Sequence, residues 1–259
     1  MRVWRRLLLV ALLAIVICGC SHSPQKRDTL FQVSTIDALL AGAYDGDITF
    51  KELGKHGDFG LGTFQSLDGE MVELDGSFYQ VKTDGVAYPV DNAMTTPFAE
   101  VTFFEADRSE RLDKCENYAQ LEQHLDALLP TENIFYAIKI NGVFDYVEAR
   151  SVPKQDKPYP LLAEAIKDQS IFEFNYVQGT IVGFRCPEYV DGTNVPGYHF
   201  HFITEDRQAG GHLLECRLQK VTVQIDYTSR FYMVLPESND FYQMDLSQDN
   251  QGEPEEVEK

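Results

Sequence analysis

The chain has 259 residues, and its 41 acidic side chains against 22 lysines and arginines give a formal net charge of −19. A surface that negative repels phosphate backbones and anionic headgroups, which excludes nucleic-acid binding and electrostatic membrane binding as functions. The length suffices for a substantial core, as one large domain or two closely packed ones.

Residues 1–20 read as an export signal rather than as part of the fold. Arg2, Arg5 and Arg6 precede the apolar run Leu7 to Ile17, which is short for a membrane span. Ile17-Cys18-Gly19-Cys20 is similar to a bacterial lipobox, with cleavage before Cys20 and lipid on its thiol, although Cys18 stands where Ser, Ala or Thr is usual. A plain signal peptide cut a few residues later is the other reading. Either way the mature chain is exported, as a cell-envelope lipoprotein or a secreted or periplasmic protein, and it touches membrane only through a lipid on Cys20. Residues 21–30 form a flexible polar leader by composition.

An N-terminal α/β half is expected over 31–160. Ser34-Thr35 caps a helix from Ile36 to Ala43, and Thr49 caps a second from Phe50 to His56, closed by Gly57. Asp68-Gly69 and Asp75-Gly76 mark turns around strands Met71 to Leu74 and Phe78 to Val81. Thr95-Thr96-Pro97 leads into another strand, Phe98 to Phe104. Tyr118, Leu121, Leu125 and Leu128 recur at helical spacing, so 117–129 is an amphipathic helix ended by Pro130. Asn141-Gly142, flanked by Ile134 to Ile140 and Val143 to Arg150, is the strongest hairpin signal in the chain.

A C-terminal half follows over 161–244. Pro160 opens a helix to Gln169, Ile171 to Val177 is a strand, and the remainder is β through Lys220 to Ile225 and Phe231 to Leu235. The acidic tail 245–259 has no apolar run to order it. Strands outnumber helices, and the helices lie between strand groups, which predicts an α+β fold of two closely packed β-rich halves. Gly62-Thr63-Phe64 with Asp75-Gly76, and Pro97 to Phe103, line up with Gly179-Thr180-Ile181, Asp191-Gly192, and Pro196 to Phe202. Those correspondences are compatible with a duplication that breaks near residue 160, or with chance similarity of turn residues. Cys115, Cys186 and Cys216 form no ribbon or redox pair by spacing.

The chemistry concentrates in Pro196-Gly197-Tyr198-His199-Phe200-His201-Phe202. On a strand His199 and His201 share one face, while Tyr198, Phe200 and Phe202 share the other. Residues 204–212 read as a hairpin connection, and the returning strand brings His212 beside the first two. Three imidazoles with an open fourth position are the ligand set of a catalytic zinc. Two histidines filling a polar sheet face is the plainer alternative.

Together, Gly60-Leu61-Gly62-Thr63-Phe64, Leu67-Asp68-Gly69-Glu70, Asp75 to Gln80, Thr96-Pro97-Phe98-Ala99, Ala149-Arg150-Ser151-Val152-Pro153 and Pro196 to Ile203 resemble the acetolactate decarboxylases. The likeness runs from about residue 30 to the C-terminus. It implies a zinc lyase that converts 2-acetolactate to acetoin and CO2, acting on a small 2-hydroxy-3-keto acid in a two-domain α/β structure, with a homodimer left open. It places the zinc ligands on His199, His201 and His212, and further active-site residues on Thr63, Glu70 and Arg150. A last family glutamate comes from a tail that folds back over the site. Glu258 matches best, with Glu255 and Glu256 close by.

Those residue types suit the reaction. Loss of CO2 leaves an enediolate, which a zinc chelated by the ketone and hydroxyl oxygens stabilises. Glu70 is placed to hydrogen-bond the substrate hydroxyl, and Arg150 to hold the departing carboxylate. Glu258, Glu70 or a zinc-bound water then delivers the proton. Two other functions compete. His199-x-His201-x3-Glu205 matches the start of a cupin motif, of an iron or manganese dioxygenase or isomerase, but the later half of that motif does not follow. A non-enzymatic exported binding lipoprotein accounts for the leader and the aromatics, but gives the three histidines no role.

Overall fold

Alternating side chains between tight turns make strands the main element, and the computed structural model, which describes residues 27–247, is mainly β with a few short helices. Strand β1 (Thr29–Val33) runs into helix α1 (Ile36–Leu40), whose Thr35 cap accepts from the Ala38 amide. Two residues assigned to the leader, Thr29 and Leu30, therefore belong to the sheet. Helix α1 stops short of Ala43 because Gly42, at φ +91°, turns the backbone: its N–H donates to the Leu39 carbonyl, and that of Ala43 donates to the Ala38 carbonyl.

A short strand β2 (Ile48–Thr49) leads into α2 (Phe50–Leu53), capped by Thr49 and closed at Gly54 rather than Gly57. Strands β3 (Phe59–Thr63), β4 (Glu70–Leu74) and β5 (Ser77–Val81) form an antiparallel meander with β6 (Ala87–Pro89) at its edge. Asp75 and Gly76, at φ +53° and +73°, are the two-residue turn between β4 and β5. Next come β7 (Thr95–Thr96), paired with β2, then β8 (Ala99–Thr102), β9 (Arg108–Leu112) and α3 (Tyr118–Asp126).

The second part holds the long strands β10 (Phe135–Ser151), β11 (Ser170–Cys186) and β13 (Gly210–Thr228), with α4 (Leu162–Ala165) and β12 (Gly197–Thr204) between them. It closes with β14 (Arg230–Val234) and α5 (Asn239–Gln243).

Two large sheets result, a seven-stranded one in the order β14-β1-β8-β3-β4-β5-β6 and a five-stranded one in the order β10-β11-β12-β13-β9, with β10 also paired to β13. Residue 160 is not a boundary between them. Strands β9 and β10 precede it and join the five-stranded sheet, while β14 follows it and lies parallel to β1, Thr29 opposite Arg230.

The hairpin expected at Asn141-Gly142 is absent. Strand β10 runs straight through both residues, pairing with β11 on one side and β13 on the other. Gly142 serves close approach instead of a turn: a Cβ there would lie 2.3 Å from the Lys220 carbonyl oxygen, beside the register shift at Val143/Phe144.

The sheets pack face to face. Leu61, Val72 and Leu74 of the larger one meet Val182, Phe184 and Ile203 of the smaller. Helix α2 covers the far face of the first with Phe50 and Leu53, and α3 covers the far face of the second with Leu121 and Leu125. Each such side chain contributes about 1.5–3 kcal/mol by leaving water. Cys115, Cys186 and Cys216 are buried free thiols. Among the described residues, no helix is long and apolar enough to cross a membrane.

Candidate metal centre

The three histidines of the sequence pattern meet at the interface between the sheets. His199 and His201, two apart on β12, leave the same face, and β13 returns antiparallel with His212 directly opposite His201. Gly210 and Gly211 make that return close enough, because a Cβ on either would press on a neighbouring strand, 2.2 Å from the Phe202 carbonyl oxygen and 2.5 Å from that of Arg150. The ring centroids are 5.1–5.3 Å apart, and one nitrogen from each ring lies within 4.8 Å of the others. Exposure is only 4%, 1% and 1% for His199, His201 and His212.

The protonation of His201 follows from its partner. Its Nδ1 is 2.7 Å from the Met71 carbonyl oxygen, which can only accept, so Nδ1 carries the hydrogen and the Nε2 lone pair faces the site. Burial, and then the neighbouring His199, hold this imidazole well below its ordinary pKa against the pull of the Met71 bond. The neutral ring is the form that ligates a metal.

The seven-stranded sheet supplies the opposite wall. Glu70 opens β4 across the ladder from Thr63 on β3, and its Oε2 lies 3.7 Å from His201 Nε2. The Thr63 hydroxyl donates to the Gly69 carbonyl at 2.8 Å, which ties the end of β3 to the turn that delivers Glu70. That bond uses its one hydrogen and leaves its lone pairs for a substrate donor. Arg150 sits opposite His212 on β10, and its Nη1 lies 3.4 Å from Glu70 Oε1. Both members of this ion pair are buried. Thr63, Glu70, Arg150, His199 and His201 are thus brought to line one small cleft.

The rest of that cleft is apolar, lined by Leu39, Leu67, Phe98, Val152 and Leu162. Leu67 reaches it through strained backbone. Ser66 and Leu67 are both left-handed, at φ +63° and +57°, and conformations of that kind cost on the order of 1–3 kcal/mol each. Backbone bonds from Ser66 N–H to the Tyr44 carbonyl and from Gln155 N–H to the Ser66 carbonyl hold them there.

Glu255, Glu256 and Glu258, like the leader and Cys20, lie outside the described residues. One residue of the site was passed over in the sequence. Glu100 on β8 is wholly buried, and its Oε1 lies 3.9 Å from His199 Nδ1. The only hint was an acid at a strand position whose two faces both turn out to be covered.

Three imidazoles converging with a carboxylate beside them suit a divalent ion of intermediate softness, and the fixed Nδ1 hydrogen of His201 leaves the correct nitrogen for it. The sequence profile of the family described as Alpha-acetolactate decarboxylase matches residues 30–248. A relative from Methanosarcina mazei, named Alpha-acetolactate decarboxylase, is 59% identical over 92% of this chain and 82% of its own length. One from Bacillus subtilis with the same name is 44% identical, covering 90% of this chain and 91% of its own. The crystal structure of alpha-acetolactate decarboxylase from Bacillus subtilis strain 168 superposes with a TM-score of 0.86 at 43% identity, over 88% of this chain and 98% of that one.

Proposed function

The chain belongs to the alpha-acetolactate decarboxylase family and is a carboxy-lyase; on that premise we propose that it makes acetoin from 2-acetolactate with zinc held by His199, His201 and His212. The observation that supports this reading is the cluster of those three buried imidazoles beside the buried Glu70–Arg150 pair. When bound, zinc supplies a Lewis acid for the ketone and hydroxyl oxygens of the substrate.

The protein's own groups do the rest. The Arg150 guanidinium, planar and permanently charged, holds the substrate carboxylate. Glu70 hydrogen-bonds the substrate hydroxyl, and Thr63 offers a lone pair beside it. The bond between the carboxylate carbon and C2 then breaks, CO2 leaves, and the electron pair passes onto the ketone to give an enediolate. Leu39, Leu67 and Leu162 keep water from the carbon that must be protonated from one side. Glu258 is the proposed proton donor, with Glu70 as the alternative. Export through the N-terminal leader, with a lipid on Cys20, completes the reading, and the mass of the mature N-terminus tests it.

The central test is metal content against turnover. Protein stripped by a chelator should lose decarboxylation of acetolactate and regain it with one equivalent of zinc. Full turnover in metal-free protein would overturn the proposal. Truncation after Asp249 and the single change Glu258→Gln should slow turnover equally while zinc stays bound.

A further inference from the structure

We propose that Glu100 is a positioning residue, the carboxylate that turns His199 so that its Nε2 faces the metal; this rests on the metal-centre reading above. The larger sheet places it there. Strand β8 lies between β1 and β3, and the Glu100 side chain projects toward the smaller sheet, where it meets Cys186 of β11 and His199 of β12. Gln32, its neighbour across the β1 ladder, is already committed: the Gln32 amide donates to the carbonyls of Ser34 and Thr193, and its oxygen accepts from Asn194.

What remains near the carboxylate is little. Oε2 has the Cys186 thiol at 4.0 Å, a weak donor, and Oε1 has no hydrogen-bond partner among the described residues. A carboxylate with 0% exposure needs a donor, or its lost hydration destabilises the fold. The imidazole N–H of His199 is the group in position to serve, since 3.9 Å closes to a hydrogen bond by a small rotation of the ring.

Two of the ligands are then fixed by the same logic with different acceptors. His201 gives its Nδ1 hydrogen to a backbone carbonyl, and His199 gives its own to a carboxylate. In each case the hydrogen on Nδ1 reserves Nε2 for the ion. The carboxylate also makes its ring the stronger donor and offsets part of the charge that a divalent cation brings into a buried cleft.

The test compares Glu100→Leu and Glu100→Gln with the natural protein, reading zinc affinity by competition with a chromophoric chelator and heat stability of the metal-free forms. Glu100→Leu should raise the zinc Kd by about 10–100-fold, the usual effect of losing such a partner. Glu100→Gln, whose carbonyl oxygen still accepts from Nδ1, should fall between. The metal-free Leu variant should unfold at a temperature no lower than the natural protein, since the replaced group was an ill-paired buried carboxylate. A merely structural role predicts the reverse, lower stability with unchanged affinity. Zinc binding within twofold of natural in the Leu variant overturns the proposal. If that variant does not fold, unchanged affinity in the Gln variant overturns it. A natural protein that binds no zinc overturns the metal-centre reading along with it.

Discussion

The two sheets bring opposite chemistry to the interface between them. The five-stranded sheet carries the bases, His199, His201, His212 and Arg150, and the seven-stranded sheet carries the acids and hydroxyl, Glu70, Glu100 and Thr63. Neither set is tolerable alone in a buried place, because unpaired charge loses its hydration with nothing in return. Docked, each set answers the other: Arg150 meets Glu70, His201 takes the Met71 carbonyl, and Glu100 lies beside His199. The apolar contacts of Leu61 and Val72 with Val182 and Phe184 provide the driving force for docking.

Removing the bases is the most severe way to break this arrangement. His199→Ala, His201→Ala or His212→Ala should abolish stoichiometric zinc and all measurable acetolactate decarboxylation, checked by metal analysis and CO2 release. Cutting the bridge between the sheets comes next. Glu70→Gln and Arg150→Ala should keep zinc and fold yet lower kcat by roughly two orders of magnitude. Near-natural turnover in either would make that residue structural. A milder change is Thr63→Val, which removes the bond to the Gly69 carbonyl but neither charge. It should cost about 1 kcal/mol of stability, read by urea unfolding, and about tenfold in turnover as Glu70 loses its fixed turn.

The smallest effect on catalysis belongs to an acid of the smaller sheet that lies away from the cleft. Asp226 on β13 is buried, and desolvation raises its carboxyl to about 7, although the Glu105 N–H donates to it. Its folded pKa thus exceeds the unfolded value of about 3.9. Between those values the folded state binds more protons than the unfolded one, so its contribution is fully present below about pH 4 and is lost as pH rises through about 7. Asp226→Asn cannot ionise. The variant should melt at a higher temperature than the natural protein at pH 8, the advantage should vanish below about pH 4, and turnover should be unchanged. Parallel melting curves at every pH would sink the assignment.

Much of the smaller sheet's contribution was legible in the sequence because it depends on local rules. A two-residue period puts His199 and His201 on one face, and a short return with two glycines brings His212 alongside. The acids were less legible, since their roles depend on a second sheet that no local pattern announces. Glu70 came only through resemblance, and nothing in the strand from Phe98 to Phe104 singled out Glu100. Asn141-Gly142 misled for a related reason. The pair does favour a tight turn, but β10 has partners along both edges, and Gly142 is needed there for the approach of β13 at Lys220. Helix α1 could have been bounded correctly, as Gly42 is an ordinary stop signal.

The parallel pairing of β1 with β14 sets an order of events during synthesis. Gln32 and Met233, neighbours in that pairing, are 201 positions apart in the chain. When β1 leaves the ribosome its outer strand has not yet been translated, so the larger sheet cannot be completed until nearly all the described chain has emerged. Until then β1 offers a bare row of N–H and carbonyl groups, a template for strands of other chains. Premature termination before Arg230 should therefore yield protein that aggregates through that edge, even though the three histidines, Glu70 and Arg150 have already been translated.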